Sequence, residues 1–226
     1  MLHLLLIAAA TLLLSFSEAA PTSQRTRCDV SKVPVPLPSN QDQLQIAAGT
    51  VAQYIALGVG VQNYTCGSAG SYTSSGAVAE LFDISCFAVK DTSTFETMTD
   101  DSYQMFNRTN VSATKLITMM AASESVLGQH VFVTNPVTGT GISPQFDFRS
   151  ASRKDDPNAY VIASKVGNIA APTGKQDVDW LSLMNARGSL STQILRLNTR
   201  GGQPPSHCQE GSTISVKYTA QYWFYG

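Results

Sequence analysis

Charge is what this chain has least of. Only 14% of its 226 residues are Asp, Glu, Lys or Arg, well below the roughly 25% usual in soluble domains. The 15 basic residues nearly balance the 16 acidic ones, so no basic stripe is available to displace counterions from a nucleic acid or to hold an anionic membrane. Histidine is scarce too. Of three, His3 lies in an N-terminal apolar leader, which leaves His130 and His207 and no His-x-His pair. A metal centre needs about three converging ligands, so no metal cofactor is expected.

The motifs of several enzyme classes are missing. There is no G-x-S-x-G nucleophile elbow. A dinucleotide fold needs G-x-G-x-x-G between a strand and a helix, so that bare backbone can reach the pyrophosphate at the helix N-terminus. Gly58-Val59-Gly60-Val61-Gln62-Asn63 has Asn in place of the third glycine and runs on into strand-like sequence; Gly139-Thr140-Gly141-Ile142-Ser143-Pro144 fails as well. Strands do not alternate with long helices, so NAD is excluded as a cofactor. No run reaches the ~18 apolar residues of a membrane span.

An address is present. The apolar stretch Leu4 to Leu14 is followed by Ser17 and Ala19 at the positions a signal peptidase reads, which predicts a secretory leader over residues 1–19, although no Lys or Arg precedes the apolar run. Four cysteines, Cys28, Cys66, Cys86 and Cys208, follow the leader. In an oxidising compartment an even count implies two disulfides, and four cysteines allow three pairings. Their spacings are not those of a zinc site. Sequons at Asn63, Asn107 and Asn110 agree with a secreted, extracellular glycoprotein. The last two place a surface loop around residues 107–112.

Beyond the leader, residues 20–43 form a Pro-rich arm, and residues 44–226 read as a single β-rich domain. Strand patterns fall at 51–66, 78–89, 129–134, 145–149, 160–166, 179–184, 191–199 and 212–225, broken by turn signals such as Asn135-Pro136 and Gly201-Gly202. Gly58 and Gly60 within the first mark a bulge or a close backbone approach. Helical spacing appears over 93–106, where Ser93 and Glu96 match a capping box, and over 112–123. Many short strands with one or two helices predict an antiparallel β-sandwich or barrel.

Candidate functional residues are few. His130 alternates with Val131, Phe132 and Val133, the pattern of a strand buried on both faces, so its bland reading is a hydrogen-bonded core histidine. Its functional reading is a general base or metal ligand acting with Asp147 on the adjacent hairpin strand, and His207 is a third weak metal candidate. Glu80, Asp83, Asp147 and Asp179 could supply a carboxylate pair, but Glu80 and Asp83 point to opposite faces of one strand. In the last strand Ile214, Val216, Tyr218, Ala220, Tyr222 and Phe224 form an apolar face. Gln221, Trp223 and Tyr225 lie on the other, where they could stack sugar rings unless a second layer covers them. Trp180 reads as core.

Several segments taken together resemble a known family: Val35 to Pro38, Gly60-Val61-Gln62-Asn63-Tyr64-Thr65-Cys66, Gly128-Gln129-His130, Asp179-Trp180-Leu181, Thr199-Arg200-Gly201-Gly202-Gln203-Pro204-Pro205 before Cys208, and Tyr218-Thr219-Ala220-Gln221-Tyr222-Trp223-Phe224-Tyr225. The family comprises secreted fungal and bacterial proteins grouped as a domain of unknown function, whose fungal members often carry an automatic malate dehydrogenase label. The missing dinucleotide fingerprint excludes that activity. The resemblance implies one β-rich domain over nearly all of the mature chain and pairs Cys66 with Cys208, which leaves Cys28 with Cys86; it brings no active site. Loops of this length predict about 3 to 5 kcal/mol of stabilisation in the chain-entropy account.

The sequence therefore predicts a secreted, disulfide-stapled binding domain acting at a cell wall or host surface, with cell-wall polysaccharide as the candidate partner. The alternative is a small-molecule or metal-dependent enzyme with its pocket in a β-barrel around His130.

Overall fold

A computed structural model describes residues 28–226; the leader and its cleavage position lie outside the described residues. Eight strands follow one another: β1 (Ala52–Cys66), β2 (Tyr72–Asp83), β3 (Val126–Thr134), β4 (Ile142–Asp147), β5 (Tyr160–Ile169), β6 (Trp180–Gly188), β7 (Gln193–Gly201) and β8 (Thr213–Tyr225). Each pairs antiparallel with the next, and β8 returns to β1 to close a barrel. Closure removes both edges of the sheet, and with them the unpaired backbone groups that invite aggregation.

Three helices, α1 (Ser85–Lys90), α2 (Thr92–Asn107) and α3 (Ala113–Met120), connect β2 to β3. The strand expected over 78–89 stops at Asp83. There the Asp83 carboxylate accepts from the Ser85 amide at 2.9 Å and turns the chain into α1. The cap of α2 is Asp91, which accepts from the Thr94 amide at 3.1 Å, rather than Ser93 of the capping-box match. Ser112 caps α3 by accepting from Lys115. The segment 108–112 between α2 and α3 is mostly exposed and carries Asn110, with Asn107 exposed at the end of α2.

Two apolar cores share the barrel wall. Inside lie Tyr54, Phe146, Phe148, Tyr218, Tyr222 and Phe224, fitted against small residues such as Ala56, Ala79, Ala163 and Ala220. Large side chains oppose small ones because an eight-stranded barrel leaves just enough room for side chains to fill. Outside, Ile55, Leu57, Leu195, Leu197, Trp223 and Tyr225 meet Phe95 and Phe106 of α2 and the arm residues Val30 and Leu44, with Val33, Val35 and Leu37 packed against them.

Strand β8 shows how the alternation is used. Its apolar face fills the lumen, as the pattern predicts. Its polar face meets a helix instead of water. Thr219 donates to Thr99 O at 2.8 Å, and Lys217 donates to Phe106 O and Thr109 O at 2.8 and 2.6 Å. The lysine therefore sits at the negative C-terminal end of α2.

The disulfides join Cys28 to Cys86 and Cys66 to Cys208. The first ties the arm to α1, and the second ties the end of β1 to the connection between β7 and β8.

Candidate functional site

Interior side chains form layers along the barrel. One end is sealed by Tyr54, Phe148 and Phe224, whose rings meet edge to face at centroid distances of 5.3 to 6.4 Å. Above them His130 stacks on Phe146 at 4.4 Å and touches Tyr222 at 5.5 Å. His130 is 2% exposed, and its Nδ1 lies 3.0 Å from Gln145 O. Burial pushes its pKa down to about 4, and the positive charge of Arg196 acts in the same direction. This is the core histidine of the bland reading.

The strand register corrects the proposed dyad. His130 pairs with Phe146, while Asp147 pairs with Gln129. Neighbouring positions along a strand face opposite sides of the sheet, so Asp147 points out of the barrel. There its two oxygens accept from Arg149 Nε at 2.9 Å and Nη2 at 2.7 Å. Partial burial works against ionisation, but the Arg149 hydrogen bonds and charge outweigh it and hold the carboxyl below its ordinary pKa. His207 is exposed on the loop beside Cys208, remote in role from both. Among the described residues no group of three or more His, Cys, Asp or Glu is placed to hold a metal ion.

The aromatic platform is likewise corrected. Trp223 and Gln221 are fully buried and Tyr225 is 4% exposed. Phe95 of α2 meets the Trp223 ring at 6.1 Å, and Gln221 Oε1 accepts from both Trp223 Nε1 and Asn198 Nδ2. A helix and the arm are the second layer that covers these residues. Trp180 is core, at 5% exposure in the outer cluster.

The end of the barrel opposite the aromatic seal is open. Its mouth encloses a cavity of about 590 Å³ to which strands β1 to β7 contribute. Its lining mixes apolar side chains, Phe132, Pro144, Leu181 and Leu183, with the polar Gln62, Tyr64, Lys165 and Arg196; Leu181 is the cross-strand neighbour of Arg196 and Leu183 that of Lys165. Arg196 stands across the β7–β8 pair from Tyr222. Its Nε and Nη2 donate to Asp179 O at 3.1 and 2.8 Å, and it also hydrogen-bonds to Tyr222. The Tyr222 hydroxyl is 2.9 Å from that of Tyr218. Burial raises the pKa of both tyrosines, so each remains a neutral hydroxyl, packed in the barrel interior behind the cavity lining. Tyr64 donates to Gly202 O at 2.8 Å and so braces the rim.

Two details single out this mouth. The Gln62 side chain is 5% exposed, lines the cavity and reaches the Tyr218 hydroxyl, but its Nε2 has no partner at full hydrogen-bond geometry. In addition, no carboxylate among the described residues lies within ion-pair distance of Arg196. Sequence reasoning missed Arg196, Gln62, Tyr64 and Lys165. The available signal was a lone cation in the apolar strand Ile194-Leu195-Arg196-Leu197.

A second cavity of about 500 Å³ lies outside the barrel, between its wall and α2 and α3. It is almost wholly apolar, with Leu57, Val59, Phe82, Met105, Leu116 and Met119 in its lining.

Fold and mouth together define a closed, eight-stranded up-and-down β-barrel with one sealed end and one open, polar-lined end. The chain belongs to the family described as "Protein of unknown function (DUF3455)", whose model matches residues 47–226. No curated protein and no solved structure matches it.

Proposed function

We propose that this protein is a small-ligand-binding barrel that holds its ligand in the open mouth above Tyr218 and Tyr222. The observation that carries this reading is a preformed cavity of about 590 Å³ at the open end, lined by Gln62, Lys165 and Arg196 together with apolar side chains. That volume lies within the range of small-molecule sites, which combine apolar walls with a few placed polar groups. An extracellular setting is supported by the two disulfides and by the leader and sequons read from the sequence. At a cell wall or host surface the mouth suits a single ring or the end of a polysaccharide chain rather than a stretch of chain laid across a flat face.

The test is a thermal-shift and ligand-observed NMR screen of small cyclic compounds against the wild type and Leu181→Trp, a substitution that fills the mouth. Hits that bind the wild type and fail with the folded Leu181→Trp variant support the reading. Hits unaffected by that substitution contradict it.

A further inference from the structure

We infer that the ligand of the mouth is a carboxylate-bearing ring, with its carboxylate on Arg196 and Gln62. This inference rests on the mouth being the binding site and adds the chemistry of the occupant. Arg196 is anchored through Nε and Nη2 to a backbone carbonyl, that of Asp179. The guanidinium is thus fixed in place while its charge is left without an acidic partner among the described residues. A charge partly withdrawn from water is costly unless it is paired. With Nε and Nη2 held by Asp179 O and a further bond to Tyr222, the guanidinium still presents its charge and the N–H groups not so engaged, which a carboxylate matches better than a neutral acceptor.

The surrounding charges favour the same sign of ligand. Lys165 is a second cation in the lining, and the one acidic residue there, Asp179, has its carboxylate accepting from Asn168 Nδ2 at 3.1 Å. Gln62 adds a donor rather than an acceptor, since the atom without a partner at full hydrogen-bond geometry is Nε2. Beside these donors, Leu181 and Leu183, with Phe132 and Pro144 elsewhere in the lining, offer apolar surface to the face of a ring. A ring acid satisfies the donors and the apolar surface together; a neutral sugar leaves the cation unpaired, and an aliphatic ammonium would be repelled.

Two sources share this chemistry, aromatic acids and uronic acids, and matched pairs separate them: benzoate with benzamide, and galacturonate with galactose. Affinities are measured by NMR titration against the wild type, Arg196→Gln and Gln62→Leu, with folding verified by circular dichroism. One acid is expected to bind at least about tenfold more tightly than its neutral partner, and Arg196→Gln is expected to weaken it about 10- to 100-fold, as loss of a charged hydrogen bond would. Gln62→Leu guards against a misfolded arginine variant: it is expected to leave the free protein folded while weakening acid binding. Preference for benzoate assigns the site to aromatic acids, and preference for galacturonate to sugar acids. Equal binding of acid and neutral partner, or full acid affinity in Arg196→Gln, overturns the anion assignment and leaves mouth binding standing. If none of the four compounds shifts a resonance from the mouth, the carboxylate-ring assignment falls, while hits from the wider screen would still uphold the mouth as the site.

Discussion

His130 and Asp147 lie one register step apart on β3 and β4 and face opposite sides of the barrel wall, His130 against Phe146 and Asp147 opposite Gln129. A pair that looks like an acid–base dyad in the sequence is divided by the sheet. The two residues should therefore behave differently on substitution. Asp147→Asn removes a half-exposed ion pair with Arg149 and is expected to cost no more than about 1 kcal/mol, with ligand affinity unchanged. His130→Ala leaves a hole in the aromatic layer and is expected to cost about 2 to 4 kcal/mol. Urea denaturation of both variants measures the contrast.

Two buried groups set opposing pH dependences. Glu80, 2% exposed on the outer face of β2, has its pKa pushed up from 4.5 to about 7 by burial, against a hydrogen bond from Gln129. Between those values the folded protein keeps a proton that the unfolded chain has lost, so Glu80 lowers stability progressively as pH rises from 4.5 to 7. His130 falls from 6.5 to about 4. Below pH 6.5 the unfolded chain gains a proton that the folded protein refuses, so His130 lowers stability as pH drops toward 4. Glu80→Gln is expected to gain on the wild type by about 2 to 3 kcal/mol on going from pH 4.5 to 8. His130→Phe is expected to gain on it in the reverse direction, from pH 7 to 4. Denaturant midpoints across this range check both signs.

Gly58 packs beneath Tyr222, and a Cβ there would lie 2.5 Å from the ring atom Cε2. The ring cannot easily retreat, because its hydroxyl is held by Tyr218 and its face meets His130 and Phe146. Gly58→Ala is expected to destabilise by about 1 to 3 kcal/mol, the usual cost of overpacking, and to disturb the packing behind the mouth. A thermal melt together with the ligand titration checks both effects.

Trp223 is a structural residue between β8 and α2. Trp223→Ala is expected to cost about 3 to 5 kcal/mol. Any loss of polysaccharide binding by this variant should track its unfolding, whereas folded Leu181→Trp should lose binding outright. Pull-downs at a temperature where both variants remain folded separate the two effects.

The barrel was largely legible in the sequence because period-2 alternation survives in β8, because the β1 segment is rich in Val, Ile, Tyr and Gly, and because turn signals punctuate the later strands. Closure was not legible: the β1–β8 pairing joins residues as distant as Ala52 and Tyr225, and no local pattern encodes it. The polar face of β8 was misjudged for a related reason. Gln221, Thr219 and Lys217 look solvent-facing, but they bond to the backbone of a helix that only the tertiary fold brings over them. The mouth escaped notice because its donors come one or two at a time from separate strands. Gln62 and Lys165 alone resemble ordinary surface residues, Arg196 stands out only as a lone cation among apolar neighbours, and it is the register that turns all three inward.

The most direct test of mouth binding is a set of intermolecular NOEs from a bound ring compound to selectively labelled side chains. Contacts to the Leu181 and Leu183 methyls and the Phe132 ring are the predicted result. Contacts confined to Met105 and Met119 in the outer apolar cleft would place the ligand elsewhere and contradict the account.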